Sequence, residues 1–122
     1  MTSTYLIIQS RLGGGKHLED TQLMKGILEG CVLGIISRGE TYGYEILTVM
    51  EQYGFESLGE GTLYPVLTRL NKKGLISCRK AKSEFGPIRK YYSITEEGTT
   101  YLSAFKESFR HITEMANQIL NE

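Results

Sequence analysis

Eight of the chain's 14 lysines and arginines fall between positions 69 and 90: Arg69, Lys72, Lys73, Arg79, Lys80, Lys82, Arg89 and Lys90. Glu84 is the only acid among them, so this stretch carries +7 while the whole chain is neutral, with 14 basic and 14 acidic side chains. The remainder therefore carries −7. Such a distribution attracts phosphate locally without making the whole molecule polycationic. Arginine can read guanine with two parallel donors, lysine neutralises phosphate as a point charge, and hydroxyls near a helix start fix register on a backbone. Thr62, Tyr64 and Thr68 supply hydroxyls just ahead of the basic stretch.

Groups suited to catalysis are sparse. His17 and His111 are the only histidines, and neither has a serine, cysteine or carboxylate at the spacing of a nucleophilic or metal site. Cys31 and Cys78 lie far apart in no CxxC arrangement and read as two reduced, packed thiols, with a redox role conceivable only for Cys78, which precedes Arg79 and Lys80. The Gly13-Gly14-Gly15-Lys16 stretch lacks the spacing of a phosphate-binding loop, and His17 stands where that loop needs Ser or Thr. We therefore expect no enzyme, no metal and no cofactor. No apolar run nears the roughly 20 residues of a membrane span, and the first residues show no secretory pattern, which predicts a cytoplasmic protein.

The elements that hold the basic residues follow from periodicity. Residues 1–19, interrupted by the glycines, read as an unassigned N-terminal arm. From about Thr21 to Arg38, Leu23, Ile27, Cys31 and Ile35 form one helical stripe with Leu28, Val32 and Ile36 beside it; Asp20 suits the N-cap and Gly39 the stop. A second helix spans about Tyr42–Tyr53, with Thr41 as cap and Gly54 as terminator. A third spans about Thr62–Lys73, with Leu63, Val66, Leu67 and Leu70 inward and Thr62, Pro65, Thr68, Arg69 and Lys72 outward. With a cap at Gly61 or Thr62, Pro65 falls in the first turn, where proline is tolerated.

After Gly74 the period changes from 3.6 to 2. Leu75–Ala81 and Ile88–Thr95 read as two strands around a Ser83-Glu84-Phe85-Gly86-Pro87 turn. Thr95, followed by Glu96 and Glu97, opens a last helix of about 24 residues, ~36 Å long. Its apolar positions Leu102, Phe105, Phe109, Ile112, Ala116 and Ile119 follow a heptad-like seam. A helix that long overhangs a three-helix head, so the seam predicts a homodimer. The expected fold is mainly α with a small β-hairpin: a winged helix-turn-helix over 20–95, then a dimerisation helix over 96–122. In that architecture the third helix enters the major groove and the hairpin reaches a neighbouring backbone, which places Lys80, Lys82, Arg89 and Lys90 at phosphates. A two-fold dimer would set two such helices about 34 Å apart and call for a palindromic site. A winged helix that binds only another protein is the rival reading, and it leaves the concentration of charge unexplained.

The segments Gly39-Glu-Thr-Tyr-Gly-Tyr-Glu-Ile46, Glu60-Gly-Thr-Leu-Tyr-Pro-Val-Leu67 and Gly86-Pro-Ile-Arg-Lys-Tyr-Tyr-Ser-Ile-Thr-Glu-Glu-Gly98 resemble, in order and spacing, the signature stretches of PadR-type regulators. The resemblance covers about residues 20–120. It implies a dimeric repressor of transcription, joined through its last helix and in some members released from DNA by a small aromatic compound. It also implies DNA contacts at Tyr42, Thr62, Tyr64, Pro65, Arg89 and Lys90. Two departures stand out: residues 1–19 extend beyond the usual start, and the chain has no tryptophan from which an indole-lined drug site could be built.

Overall fold

The computed structural model describes residues 22–55 and 58–121. Within them run α1 (Gln22–Ile36), β1 (Thr41–Tyr42), α2 (Gly43–Gln52), α3 (Glu60–Lys72), β2 (Ile76–Lys82), β3 (Ile88–Ile94) and α4 (Glu96–Leu120). The N-terminal arm, His17 and the expected cap Asp20 lie outside the described residues.

The core gathers Val32, Leu33 and Ile36 of α1, Ile46 and Met50 of α2, and Leu63, Leu67 and Leu70 of α3, all essentially inaccessible to water. The buried stripe of α1 is thus Leu28–Val32–Ile36 with Leu33, and the stripe expected to lead, Leu23–Ile27–Cys31–Ile35, is only partly covered. Leu23 is exposed. The reason is that α1 is covered from two sides. Its far side meets α4, where a Cβ added to Gly30 would fall 2.2 Å from the Phe105 ring. Cys31 is half-buried against the core, and burial pushes its thiol pKa up.

Helices α2 and α3 end by the same device. After α3, Gly74 takes φ +76°, its N–H donates to the Asn71 carbonyl, and Leu75 N–H donates to the Leu70 carbonyl. After α2, Gly54 takes φ +107°, and Phe55 N–H donates to the Met50 carbonyl. Both are Schellman closures that only glycine enters without strain. They fix the angles at which α3 leaves α2 and the hairpin leaves α3.

Three local expectations are corrected. The sheet has three strands in the order β1-β3-β2, since Thr41 and Tyr42 pair antiparallel with Tyr92 and Tyr91. Thr41 is accordingly a buried strand residue and not a cap; its hydroxyl donates to Glu45 Oε1 at 2.5 Å. Pro65 stands in the second turn of α3, because the helix begins at Glu60 after Gly59. There it removes one intrahelical donor, which an exposed position tolerates better than a buried one.

The last helix begins as expected. Thr95 Oγ1 accepts from Gly98 N–H at 3.0 Å and donates to the Gly74 carbonyl at 2.7 Å, which ties the start of α4 to the end of α3. A Cβ on Gly98 would sit 2.0 Å from the Leu75 carbonyl oxygen, so only glycine permits this approach. Leu102, the first residue of the expected seam, is buried in its own head. Beyond Phe105, half-buried, the helix runs clear of the head: Phe109, Ile112, Met115, Ile119 and Leu120 are all exposed, and Ala116 is partly covered. No helix among the described residues is long and apolar enough to cross a membrane.

Candidate nucleic-acid interface

The two faces of the hairpin carry different chemistry because strand side chains alternate. On one face Arg89 and Tyr91 lie two residues apart on β3. Tyr42 stands opposite Tyr91 on β1, and Arg79 stands opposite it on β2. Strand register alone therefore builds an interleaved cluster. The Arg89 guanidinium lies 3.8 Å over the Tyr42 ring and 5.4 Å from the Tyr91 ring, and its Nε donates to the Tyr91 hydroxyl at 3.1 Å. Arg79 lies 4.8 Å over the Tyr91 ring, while Tyr42 and Tyr91 meet edge to face at 5.9 Å. Stacking on an aromatic face holds a guanidinium in place without neutralising it.

Arg79 is also bound by two hydrogen bonds to Glu40, at 2.6 and 2.8 Å. Those bonds hold the Glu40 carboxyl below its usual range. Arg79 is thus spoken for, whereas Arg89 faces no carboxylate among the described residues.

The other face starts in the core with Cys78 opposite the buried Tyr92 and ends at the tip with lysine. Lys80 pairs directly with Lys90 across the strands, and Lys82 pairs with Ile88. Like charges placed opposite one another weaken a hairpin. Nothing acidic among the described residues relieves this pair, whereas an anion would.

Between the hairpin and the helices lies a groove of about 400 Å³, lined by Tyr42, Tyr44, Tyr64, Arg89, Lys90 and Tyr92 among others. Tyr64 reaches it from the wing-facing flank of α3, and a Cβ on Gly43 would come within 2.7 Å of the Tyr64 hydroxyl. The Tyr-Gly step of the Thr41-Tyr42-Gly43-Tyr44 run is thereby explained: Tyr42 supports Arg89, and Gly43 leaves room for Tyr64.

Residues 32–104 match the Transcriptional regulator PadR-like family. The chain belongs to this family of DNA-binding transcriptional regulators. Among solved structures it is similar to a PadR-like transcriptional regulator from Bacillus cereus, at 43% identity and a TM-score of 0.74 over 84% of this chain and 99% of that one. It is likewise similar to a Streptococcus transcriptional regulator, at 39% identity and a TM-score of 0.73 over 81% of this chain and 97% of that one. An uncharacterised Lysinibacillus sphaericus protein is 33% identical over 78% of this chain and 89% of its own length. The Escherichia coli transcriptional regulator YqjI is 30% identical over 73% of this chain, which spans only 42% of that protein. The PadR-like assignment makes the chain a regulator and not an enzyme, and the winged-helix architecture with its long last helix agrees with the solved relatives.

In this PadR-like head the residues singled out in the sequence divide into three sets. Tyr42, Tyr64, Arg89 and Lys90 converge on the groove. Thr62, Pro65, Thr68 and Lys72 are exposed along α3, and Lys80 and Lys82 are exposed on the wing. The Thr68 hydroxyl donates to the Tyr64 carbonyl at 3.0 Å, so its proton is used within the helix. Arg69 stands apart, on the flank of α3 turned to α1, where its Nε donates to Glu29 at 3.4 Å. Sequence reasoning missed Tyr91, Glu40 and Glu29. Period-2 alternation from Arg89 points to Tyr91, but the two carboxylates carry no local signal, lying 39 or 40 positions from the arginines they hold.

Proposed function

We propose that this PadR-like regulator is a repressor that acts as a homodimer on a palindromic operator and is released by a small apolar or aromatic effector. The observation that carries the DNA contact is the groove between α3 and the wing. Four tyrosines line it, a stacked guanidinium and Lys90 stand in it, and Lys90 pairs across the strands with Lys80. In this reading Arg89 and Lys90 hold the backbone at the groove, Tyr42 and Tyr64 position them, and Thr62, Pro65, Thr68 and Lys72 face the base edges. Lys80 and Lys82 neutralise phosphate.

Dimerisation is supported by the distal half of α4. Phe109, Ile112, Met115 and Ile119 are between 44% and 75% exposed in one copy, at spacings that place them on one stripe. A second copy of the same helix, antiparallel or parallel, covers that stripe. The effector site is supported by the stacked rings of Phe105 and Phe109, 6.0 Å apart beside α1, which offer an aromatic surface at the foot of the dimer helix.

The test is a titration into duplex from the regulator's own upstream region and into scrambled duplex, at several salt concentrations. This reading expects a preference of about 10³-fold or more, with both affinities falling as salt rises. Absence of binding to either duplex at low salt refutes it. Ile112→Glu should turn a dimer into a folded monomer by sedimentation, and a dimer that persists refutes the α4 interface. A panel of aromatic acids that leaves Tm unchanged refutes the effector, since a ligand of the native state must stabilise it.

A further inference from the structure

Glu29 lies on α1, away from the groove, yet three side chains from two other elements converge on its carboxylate. It accepts a hydrogen bond from Lys73 Nζ at 2.9 Å, from Arg69 Nε at 3.4 Å and from the Tyr101 hydroxyl at 3.3 Å. Lys73 and Arg69 end the DNA-reading helix, and Tyr101 belongs to the first turns of α4. The Glu29 side chain is only 16% exposed, against 53% and 49% for the two cations it holds. Burial opposes its ionisation, but the Lys73 and Arg69 hydrogen bonds and charges outweigh that, so its carboxyl stays below the usual range. Lys73 Nζ also lies 5.9 Å over the Tyr101 ring. The carboxylate is therefore charged and largely shielded from water, while both cations are half in water.

The consequence concerns DNA. Phosphate attraction is indifferent to sequence, and every cation that reaches a phosphate steepens the salt dependence by about 0.9 and raises affinity for any duplex. Released from Glu29, Arg69 and Lys73 would be two long, mobile cations at the edge of a recognition helix beside an already basic wing. We propose that Glu29 is a positioning residue for DNA recognition: it withholds Arg69 and Lys73 from phosphate and, through Tyr101, braces α3 against α4, so that it suppresses non-cognate binding more than operator binding. This rests on the DNA reading above.

The experiment uses the full chain and measures affinity for operator and scrambled duplex across a salt series for wild type, Glu29→Gln, Glu29→Asp and the double variant Arg69→Gln with Lys73→Gln. Glu29→Gln should steepen the salt slope on scrambled duplex by about one to two and tighten that binding at least about threefold at low salt, with operator affinity changed less. Glu29→Asp should fall between it and wild type. The double variant, with Glu29 in place, should keep the wild-type slope. A Glu29→Gln protein whose slope and operator preference match wild type overturns the proposal. A double variant that loses about two units of slope also overturns it, because the cations would then already lie on phosphate; this arm decides the matter if Glu29→Gln fails to fold. Wild type that binds no duplex at all overturns the DNA reading and this proposal together, an outcome distinct from normal wild-type binding with an unaltered Glu29→Gln.

Discussion

The two flanks of α3 carry opposite electrostatic arrangements. On the wing side, Tyr64 meets a groove whose cations are Arg89, stacked on Tyr42, and Lys90, paired across the strands with Lys80; neither is bound by a carboxylate among the described residues. On the α1 side, Arg69 and Lys73 are both tied to Glu29. A count of positive charge along the chain treats these residues alike. The fold does not, and the difference teaches that the basic segment is two populations: cations kept available and cations kept occupied. Stacking on tyrosine preserves the charge of Arg89 for an incoming anion, whereas the half-buried Glu29 carboxylate consumes that of its partners.

The comparison yields graded expectations. The largest effect is expected at Arg89. Arg89→Ala should weaken operator binding by roughly 10- to 100-fold, the cost of losing a well-placed charged contact, with the circular dichroism spectrum unchanged because the side chain lies on the sheet surface. Next comes Gly43→Ala, whose new methyl would overlap the Tyr64 hydroxyl and push that ring out of the groove. Operator affinity should fall while the head stays folded, and an unshifted affinity would mean that the Tyr64 position is immaterial. Lys82→Ala should lower operator and scrambled affinity about equally and reduce the salt slope by about 0.9. Unequal losses would place Lys82 at a base edge.

The smallest effects belong to the α1 flank. Arg69→Ala should change operator affinity less than Arg89→Ala by about tenfold or more, if bidentate recognition is absent there. The Glu29 ion pairs should also set a modest acid sensitivity. A carboxyl held below its usual pKa contributes stability that is complete at neutral pH and is lost as pH falls through its folded value. The difference in unfolding free energy in urea between wild type and Glu29→Gln should therefore be present at pH 7 and be lost only as pH falls below the usual glutamate range. It should amount to no more than about 1 kcal/mol, because Lys73 and Arg69 are half in water. A difference that grows towards acid pH would contradict the assignment.

Much of this is legible in the amino-acid sequence. The inward stripe of α3, the stops at Gly54 and Gly74, the Thr95 cap and the basic hairpin each declare themselves through local chemistry, and the three linked motifs carried the family. What stayed hidden is non-local. A two-residue strand such as β1 has no period to read, so the local pattern puts Tyr42 at a helix start although its ring belongs to the sheet face. Pro65 reads one turn early because Gly59, Glu60 and Gly61 offer no side-chain cap to mark the beginning of α3. Leu102 and Phe109 look equivalent along the heptad-like seam. Only the docking of α4 through Gly98 and Phe105 shows that the first is core and the second is not. Above all, the pairing of Arg69 with Glu29 and of Arg79 with Glu40 depends on which helix faces which, and no window of sequence contains both partners.

The central claim is that the groove between α3 and the wing, and not the α1 flank, meets DNA. Its most direct test is a side-by-side titration of Arg89→Ala and Arg69→Ala with one operator duplex at one salt concentration. The account predicts a loss for Arg89→Ala about tenfold or more greater than for Arg69→Ala. The reverse order, with Arg69→Ala the more damaging, would contradict it.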